Sequence, residues 1–176
     1  MQPQTPTTSP PSVLVVGSSL VRHVAVRGGR TFCYPGACVK DIASSALQLL
    51  NQHSSAATVV LEAGLNDLKH QWSELLKTDF IRLTDSLLDT GKNIIISGPL
   101  PPPRFGDVKF SRIRQLHIWL KGYCMVKSIP FIDNFAAFMN RPELFKRDVI
   151  HPNHAGSHLL STNIQLTLHS CNITTT

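Results

Sequence analysis

Five short apolar runs, separated by longer stretches of helical periodicity, constrain the fold of this chain more than any other feature. The runs are rich in β-branched residues and are continuous rather than alternating, which is typical of strands buried on both faces of a parallel sheet. They cover residues 13–16, 31–34, 58–61, 93–96 and 129–132. We therefore predict an α/β protein, a three-layer α/β/α sandwich built on a five-stranded parallel sheet with right-handed crossovers.

The stretches between the runs carry apolar residues three and four positions apart, as helices that cover a sheet do. Residues 39–50, 80–87 and 113–124 show this pattern, and Gly91 is suited to end the second helix. A short helical piece is expected at 141–145. A final helix is expected from about Pro152 to about His169, because proline is tolerated in the first turn.

One domain accounts for a chain of 176 residues. We expect residues 1–12, rich in Pro, Thr, Ser and Gln, to be a disordered linker, residues 13–170 to form the domain, and residues 171–176 to be a tail. The first twelve residues contain no basic residue and no long apolar segment follows, so we expect no secretory signal. Four irregularly spaced cysteines favour a reducing compartment. The expectation is a cytoplasmic protein without a transmembrane segment.

The charge of the chain bears on its partners without deciding them. The net charge of +6 permits a polyanionic partner, either RNA or an acidic membrane surface. The basic residues are scattered along the chain, however, and this is also typical of an ordinary solvated surface.

The segments that follow the predicted strands contain the groups needed for acyl transfer. Ser19 follows the first run, Gly36 the second and Asn66 the third, while Asp148 and His151 precede the last helix. Loops after the carboxyl ends of parallel strands gather at one edge of a sheet, so these residues are predicted to meet there.

The chemistry of these residue types is complementary. A serine hydroxyl becomes a nucleophile when an imidazole removes its proton, and a carboxylate orients the imidazole. Asp148 lies three residues before His151, a spacing that a turn can close. The backbone N–H groups of Ser19 and Gly36 and the side-chain amide of Asn66 are candidate donors to an oxyanion.

In this order, the segments resemble the four conserved blocks of the SGNH (GDSL-type) esterase superfamily. The blocks are a GDS-like nucleophile block at 17–20, a glycine block at 35–37, GxND at 64–67 and DxxH at 148–151. Each block alone is a weak signal, but four in order after the appropriate strands form a strong one. The resemblance implies the flavodoxin-like SGNH hydrolase fold.

The resemblance also implies a role for each matching residue. It assigns Ser19 as nucleophile, Asp148 and His151 as the rest of a catalytic triad, and Gly36 and Asn66 as oxyanion-hole residues beside Ser19. It further assigns Asp67 as a structural residue that holds the Asn66 loop.

The sequence departs from the family pattern at three places. Ser18 stands where Asp is usual, Leu65 where a small residue is common, and Val149 where the last block usually has glycine. Ser18 is a minor alternative to Ser19 as nucleophile. The Val149 position leaves open how the turn before His151 is formed.

A narrower resemblance is to the esterase domain of first-open-reading-frame proteins in LINE-type non-LTR retrotransposons, a relative of platelet-activating-factor acetylhydrolases. It is carried by the segments 13–22, 96–101, 110–112, 131–134 and 151–153. It implies a short-acyl or acetyl esterase that acts on a small ester or lipid without a cofactor. The alternative is a catalytically dispensable SGNH-fold module that binds RNA or a membrane surface.

Several further residues have open or modest interpretations. Leu65 and Leu100 are candidates for an apolar pocket lining. His154 and His158 have helical spacing with His151, but no HExxH-type glutamate accompanies them, so no metal site is predicted. Glu62 ends a buried-looking run, and the sequence does not decide between a paired structural residue and a group near the site.

Overall fold

A computed structural model describes residues 9–70, 73–101, 103 and 106–171 of the chain. Residues 1–8 of the expected linker and 172–176 of the expected tail lie outside this part. The strands are β1 (Val13–Gly17), β2 (Gly29–Cys33), β3 (Thr58–Glu62), β4 (Asn93–Ser97) and β5 (Phe131–Ile132). The helices are α1 (Val39–Gln52), α2 (Ser73–Leu88), α3 (Asp107–Lys127), α4 (Asn134–Phe138) and α5 (His154–Ser170). All five strands pair in parallel in the order β2-β1-β3-β4-β5.

Apolar layers cover the two faces of the sheet. Alternate strand side chains point to opposite faces, so Leu14 and Val16 of β1 pack with α1, α2 and α3. Val13 and Val15 lie on the other face and pack with the end of α4 and with α5. The prediction of a three-layer α/β/α sandwich with a five-stranded parallel sheet is confirmed.

The two edge strands differ from the sequence expectation. Every residue of β2 is partly exposed, because the strand pairs on one side alone. The predicted strand start at Ile129 was wrong, because the backbone N–H of Ile129 donates to the Cys124 carbonyl and belongs to the turn that ends α3. Ser128, with a φ of 56°, forms the left-handed residue of that turn.

The strand order determines which loops become neighbours. Because β1 lies between β2 and β3, the three loops that follow these strands are adjacent at the carboxyl edge of the sheet. The first strand, β1, lies inside the sheet, with β2 on one side of it and β3, β4 and β5 on the other. The strand order therefore reverses between β1 and β3, and sites form at such topological switch points.

The start of α5 is tied to the segment before it. Pro152 forms an antiparallel bridge with Phe145, and Asn153 caps the helix by accepting the Gly156 N–H at 3.0 Å. The helix therefore begins at His154, two residues later than predicted. A single 3-10 turn, Pro142–Leu144, occupies the expected short helical piece. Gly156 packs so closely on this turn that a Cβ atom would lie 2.2 Å from the Leu144 carbonyl oxygen.

We expect Gly156→Ala to destabilise the protein by about 1–3 kcal/mol, because the added methyl group meets a backbone carbonyl that cannot move without distorting the turn. Gly122→Ala in α3 is the matched control, since nothing lies within 4 Å of its Cβ position. Alanine there is expected to stabilise the helix by about 0.5–1 kcal/mol. Urea unfolding measures both; equal stability of the two variants would contradict the close contact of α5.

Candidate active site

Ser19, His151 and Asp148 form one hydrogen-bonded chain at the carboxyl edge of the sheet. Ser19 begins the short 3-10 turn Ser19–Val21 directly after β1, and its Oγ lies 2.9 Å from His151 Nε2. The other ring nitrogen, Nδ1, lies 2.6 Å from Asp148 Oδ2. The structure therefore brings together three residues that the sequence places up to 132 positions apart.

The two carboxylate oxygens of Asp148 have separate partners. Oδ1 accepts the backbone N–H groups of His151 and Ile150, both at 2.9 Å, while Oδ2 faces the imidazole. These backbone hydrogen bonds lower the pKa of Asp148 to about 2. An ionised carboxylate can only accept a hydrogen bond, so the proton of a neutral His151 ring resides on Nδ1 and the Nε2 lone pair faces Ser19.

The turn before His151 forms without the usual glycine. Val149 has a φ of 55°, a left-handed conformation that is rare for a β-branched side chain. Two backbone hydrogen bonds enclose it, from Val149 N–H to the Lys146 carbonyl at 2.9 Å and from Lys146 N–H to the His151 carbonyl at 2.8 Å. The turn before His151 therefore forms with valine in the place of glycine. The left-handed backbone conformation of Val149 costs conformational free energy.

Gly36 and Asn66 border the same groove as Ser19. Gly36 has a φ of 76°, which glycine adopts without strain. One N–H of the Asn66 amide donates to the Ala37 carbonyl at 3.0 Å, which fixes the orientation of the side chain. The amide has a second N–H, so Asn66 retains a donor for a bound ligand.

Asp67 joins the loop after β3 to the start of α1. Its side chain is fully buried, and both oxygens accept the backbone N–H of Val39, at 3.1 and 3.2 Å. Burial raises the pKa of Asp67 to about 6. Because Gly36 lies just before α1, this contact holds the Asn66 loop and the Gly36 loop against each other.

Ser18 and Glu62 form a second buried contact, below the Ser19 turn. Glu62 Oε2 accepts the backbone N–H of Ser18 at 2.9 Å and its hydroxyl at 2.7 Å. Burial raises the pKa of the Glu62 carboxyl, and the two hydrogen bonds act in the opposite direction. The structure thus places Glu62 as a paired residue next to the site, and it turns the Ser18 hydroxyl away from His151 towards the interior.

The Ser18–Glu62 contact depends on strand register, which explains why the sequence left Glu62 undecided. Gly17 of β1 is the pairing partner of Glu62 in β3. A Cβ atom at position 17 would lie 2.9 Å from Glu62 Oε2. Glycine at this position therefore leaves room for the carboxylate to reach Ser18.

Two grooves meet at Ser19 and His151. The large groove has a volume of about 700 Å³ and the small groove about 440 Å³. The large groove is lined by Ser18, Ser19, Leu20, Gly36, Leu65, Asn66, Leu68, Lys69, Lys109, Arg112, Ile113, Ile150 and His151. The small groove is lined by Ser19, Leu20, Arg22, His23, Pro35, Lys146, Asp148, His151, Pro152 and Ser157.

The two leucines predicted to line a pocket have different positions. Leu65 borders the large groove. Leu100 does not belong to the described lining of either groove, and this expectation is corrected. The chain that leaves β4 places Leu100 in the apolar layer with Ile132 and Phe138, on the α5 side of the sheet, where it is 3% exposed.

The remaining histidines of the DxxH region are exposed on α5. Within the described ranges, no group of three or more His, Cys, Asp or Glu side chains is arranged to hold a metal ion. His154 and His158 therefore have no described ligand set around them.

Comparison with known proteins identifies the family to which the sequence and the fold of this chain are similar. The family model described as GDSL-like Lipase/Acylhydrolase family matches residues 13–159. The esterase domain of the ORF1 protein from the zebrafish ZfL2-1 retrotransposon is 42% identical, with coverage of 89% of this chain and 98% of that domain and a TM-score of 0.54. No match is found among proteins with a curated description.

More distant solved structures share the fold. A GDSL-like lipase from Bacteroides thetaiotaomicron has a TM-score of 0.74 at 17% identity, over 90% of this chain and 88% of that one. A catalytic mutant of an acetylxylan esterase from Geobacillus stearothermophilus has a TM-score of 0.68 at 18% identity, over 89% and 93%. Both resemblances stated from the sequence are confirmed.

Glu62→Ala is expected to destabilise the protein by about 1–3 kcal/mol, because it leaves the buried N–H and hydroxyl of Ser18 without an acceptor. Glu62→Gln keeps one carbonyl oxygen, which can accept both hydrogen bonds. This variant is therefore expected to keep most of the stability that Glu62→Ala loses. Urea unfolding at neutral pH distinguishes them. If Gln were as harmful as Ala, the negative charge rather than the acceptor would matter.

Proposed function

The chain belongs to the GDSL-like lipase/acylhydrolase family, and we propose that it is a serine carboxylic-ester hydrolase with Ser19 as its nucleophile. The observation that carries this proposal is the hydrogen-bonded chain from Ser19 through His151 to Asp148, at 2.9 and 2.6 Å, beside Gly36 and Asn66. Nucleophile, base, orienting carboxylate and oxyanion donors border one groove, which is the arrangement that acyl transfer needs.

In the proposed acylation step, Ser19 Oγ attacks the ester carbonyl carbon while its proton passes to His151 Nε2. Asp148, with a pKa near 2, stays ionised at neutral pH and stabilises the imidazolium that forms. The backbone N–H groups of Ser19 and Gly36 and the amide of Asn66 are the proposed donors to the oxyanion. Collapse of the tetrahedral intermediate transfers the proton from His151 to the departing alcohol.

In the proposed deacylation step, water replaces the alcohol. The water oxygen attacks the acyl-enzyme carbonyl carbon while His151 accepts a proton from that water. The proton then passes from His151 to Ser19 Oγ as the bond between the acyl carbon and Oγ breaks. The products are the carboxylic acid and the regenerated hydroxyl. The described residues supply every proton transfer, so this scheme needs no cofactor.

The lining of the large groove supports a preference for short acyl chains. Leu65, Leu68 and Ile113 offer apolar surface, but Lys69 and Arg112 border the same groove. Contact of a long hydrocarbon chain with these charged groups would cost desolvation free energy. We propose acetyl to butyryl esters, on a small molecule or a lipid, as the substrates.

The similarity to the zebrafish domain supports a proposal about context. At 42% identity over almost the whole of that domain, the chain is proposed to be the esterase domain of a retrotransposon protein. No helix in the described ranges is long and apolar enough to span a bilayer. RNA or a membrane surface as a partner of the basic chain remains a proposal that rests on the net charge.

We expect the purified protein to hydrolyse p-nitrophenyl acetate and butyrate faster than the octanoate. Ser19→Ala should lower kcat/KM by at least about a thousandfold, because it removes the attacking oxygen while leaving the fold intact. Ser44→Ala, at an exposed position of α1, is the matched control and should retain full activity.

Two outcomes would contradict this proposal. If Ser19→Ala were as active as the wild-type protein, hydrolysis would have to be assigned to another group. No activity in the folded wild-type protein would favour the alternative of a binding module, and salt-dependent binding to RNA and to acidic vesicles would then be measured. Rates that rise steadily toward octanoate would refute the short-acyl preference alone.

A further inference from the structure

The two grooves that meet at Ser19 differ in their apolar lining. Five aliphatic side chains border the large groove: Leu20, Leu65, Leu68, Ile113 and Ile150. The described lining of the small groove has one, Leu20, together with two prolines. Its polar side chains outside the proposed triad are Arg22, His23, Lys146 and Ser157. The small groove therefore offers a ligand several hydrogen-bonding groups and little aliphatic surface.

Ser157 is the buried member of this polar set. It lies on the first turn of α5 and is 5% exposed. The hydroxyls of Ser161, Thr167 and Ser170 on the same helix each donate to the carbonyl four residues earlier, at 2.8 to 2.9 Å. The hydroxyl of Ser157, by contrast, forms no hydrogen bond with any residue that the structure describes. It is a buried polar group whose own helix does not satisfy it.

A hydroxyl in this environment is suited to bind a ligand. A buried polar atom without a hydrogen-bond partner costs free energy, and a bound group that supplies the partner recovers it. Ser157 borders the small groove, so a group bound there can supply that partner. A serine hydroxyl both donates and accepts, and its chemical match is therefore a second hydroxyl, which does the same.

The proposed reaction assigns the small groove to the alcohol half of the ester. Gly36 and Asn66, the proposed oxyanion donors, border the large groove and do not belong to the described lining of the small one. With the carbonyl oxygen directed towards these donors, the acyl chain and the alcohol extend from the carbonyl carbon in different directions. The aliphatic surface of the large groove matches the acyl carbons. The small groove, which His151 also borders, places an alcohol where the imidazole can return a proton to it.

We propose that the small groove binds the alcohol portion of the substrate, and that this alcohol is a polyol, such as glycerol or a sugar, with a free hydroxyl that pairs with Ser157 Oγ. This inference rests on the proposed esterase function and names its substrate class. Hydrolysis then places the water oxygen in a short-chain carboxylic acid and releases the polyol with the proton from His151.

The test compares esters that differ in the hydroxyl groups of their alcohol. Propyl butyrate and 1-butyrylglycerol share the acyl group and a three-carbon alcohol, but only the second has two free hydroxyls. Cyclohexylmethyl butyrate and 6-O-butyrylglucose form the corresponding pair for a sugar. Titration of the released butyric acid gives kcat/KM, and each ratio is divided by the ratio of the hydroxide-catalysed rates to remove intrinsic reactivity. We expect at least about a fivefold preference for the polyol member of one pair, because each net hydrogen bond contributes about 1 kcal/mol.

Ser157→Ala locates the preference. It removes a hydroxyl that has no described partner, so the fold is expected to persist, and it should lower the ratio of polyol ester to reference ester by about threefold or more. Ser170→Ala is the matched control, because this exposed serine lies at the far end of the same helix. It should leave the ratio and the activity unchanged.

A second comparison tests which half of the ester occupies the small groove. Propyl 3-hydroxybutyrate has its additional hydroxyl on the acyl chain, and its kcat/KM relative to propyl butyrate should not depend on Ser157. If Ser157→Ala changes this ratio and leaves the ratio of the polyol esters alone, the acyl chain occupies the small groove and the proposed alcohol site is overturned.

The remaining outcomes separate the two proposals. Ser19-dependent hydrolysis without a preference for either polyol ester, or with a preference that Ser157→Ala and Ser170→Ala change equally, overturns the substrate class and leaves the esterase function standing. Absence of Ser19-dependent hydrolysis of all five esters overturns both together. A Ser157-dependent preference confined to the glycerol ester or to the glucose ester supports the proposal and identifies the polyol.

Discussion

The pairing of β1 between β2 and β3 is the constraint on which the rest of the site depends. It places the loops after these three strands next to each other, so that Ser19, Gly36 and Asn66 border one groove although they are far apart in the chain. The catalytic candidates Asp148 and His151 come from the other end of the sequence. The turn from Asp148 to His151 precedes α5, and the packing of α5 on the opposite face of the sheet brings the imidazole to Ser19.

Two buried carboxylates hold this edge of the sheet in shape. Glu62 accepts hydrogen bonds from the backbone N–H and the hydroxyl of Ser18, below the Ser19 turn. Asp67 accepts a hydrogen bond from the backbone N–H of Val39, the first residue of α1. Burial raises the pKa of each group, which means that the ionised forms cost free energy in the folded state. Together with the left-handed Val149, they place conformational and electrostatic cost at the loops around Ser19, as is common where a site must be preorganised.

Local patterns and motif order were sufficient to predict the sheet and the residues that meet at its edge. The central strands β1, β3 and β4 contain continuous apolar runs, and three of the four blocks directly follow a strand, so position in the fold could be inferred from position in the chain. Contacts that depend on register or on the path of a loop could not. The partner of Glu62 follows from its pairing opposite Gly17, and Leu100 turns into the core where a pocket wall was expected. The start of α5 at His154 depends on the Pro152 bridge, which is also a tertiary contact.

Covalent trapping of the nucleophile tests the central claim most directly. A fluorophosphonate ester forms a P–O bond with an activated serine and releases fluoride, so peptide mass spectrometry identifies the modified residue. We predict one adduct per chain, on Ser19, with Ser18 unmodified and with labelling lost in a folded His151→Ala variant. Absence of labelling in the folded wild-type protein, or an adduct on a different residue, would contradict the assignment of Ser19 as a nucleophile activated by His151.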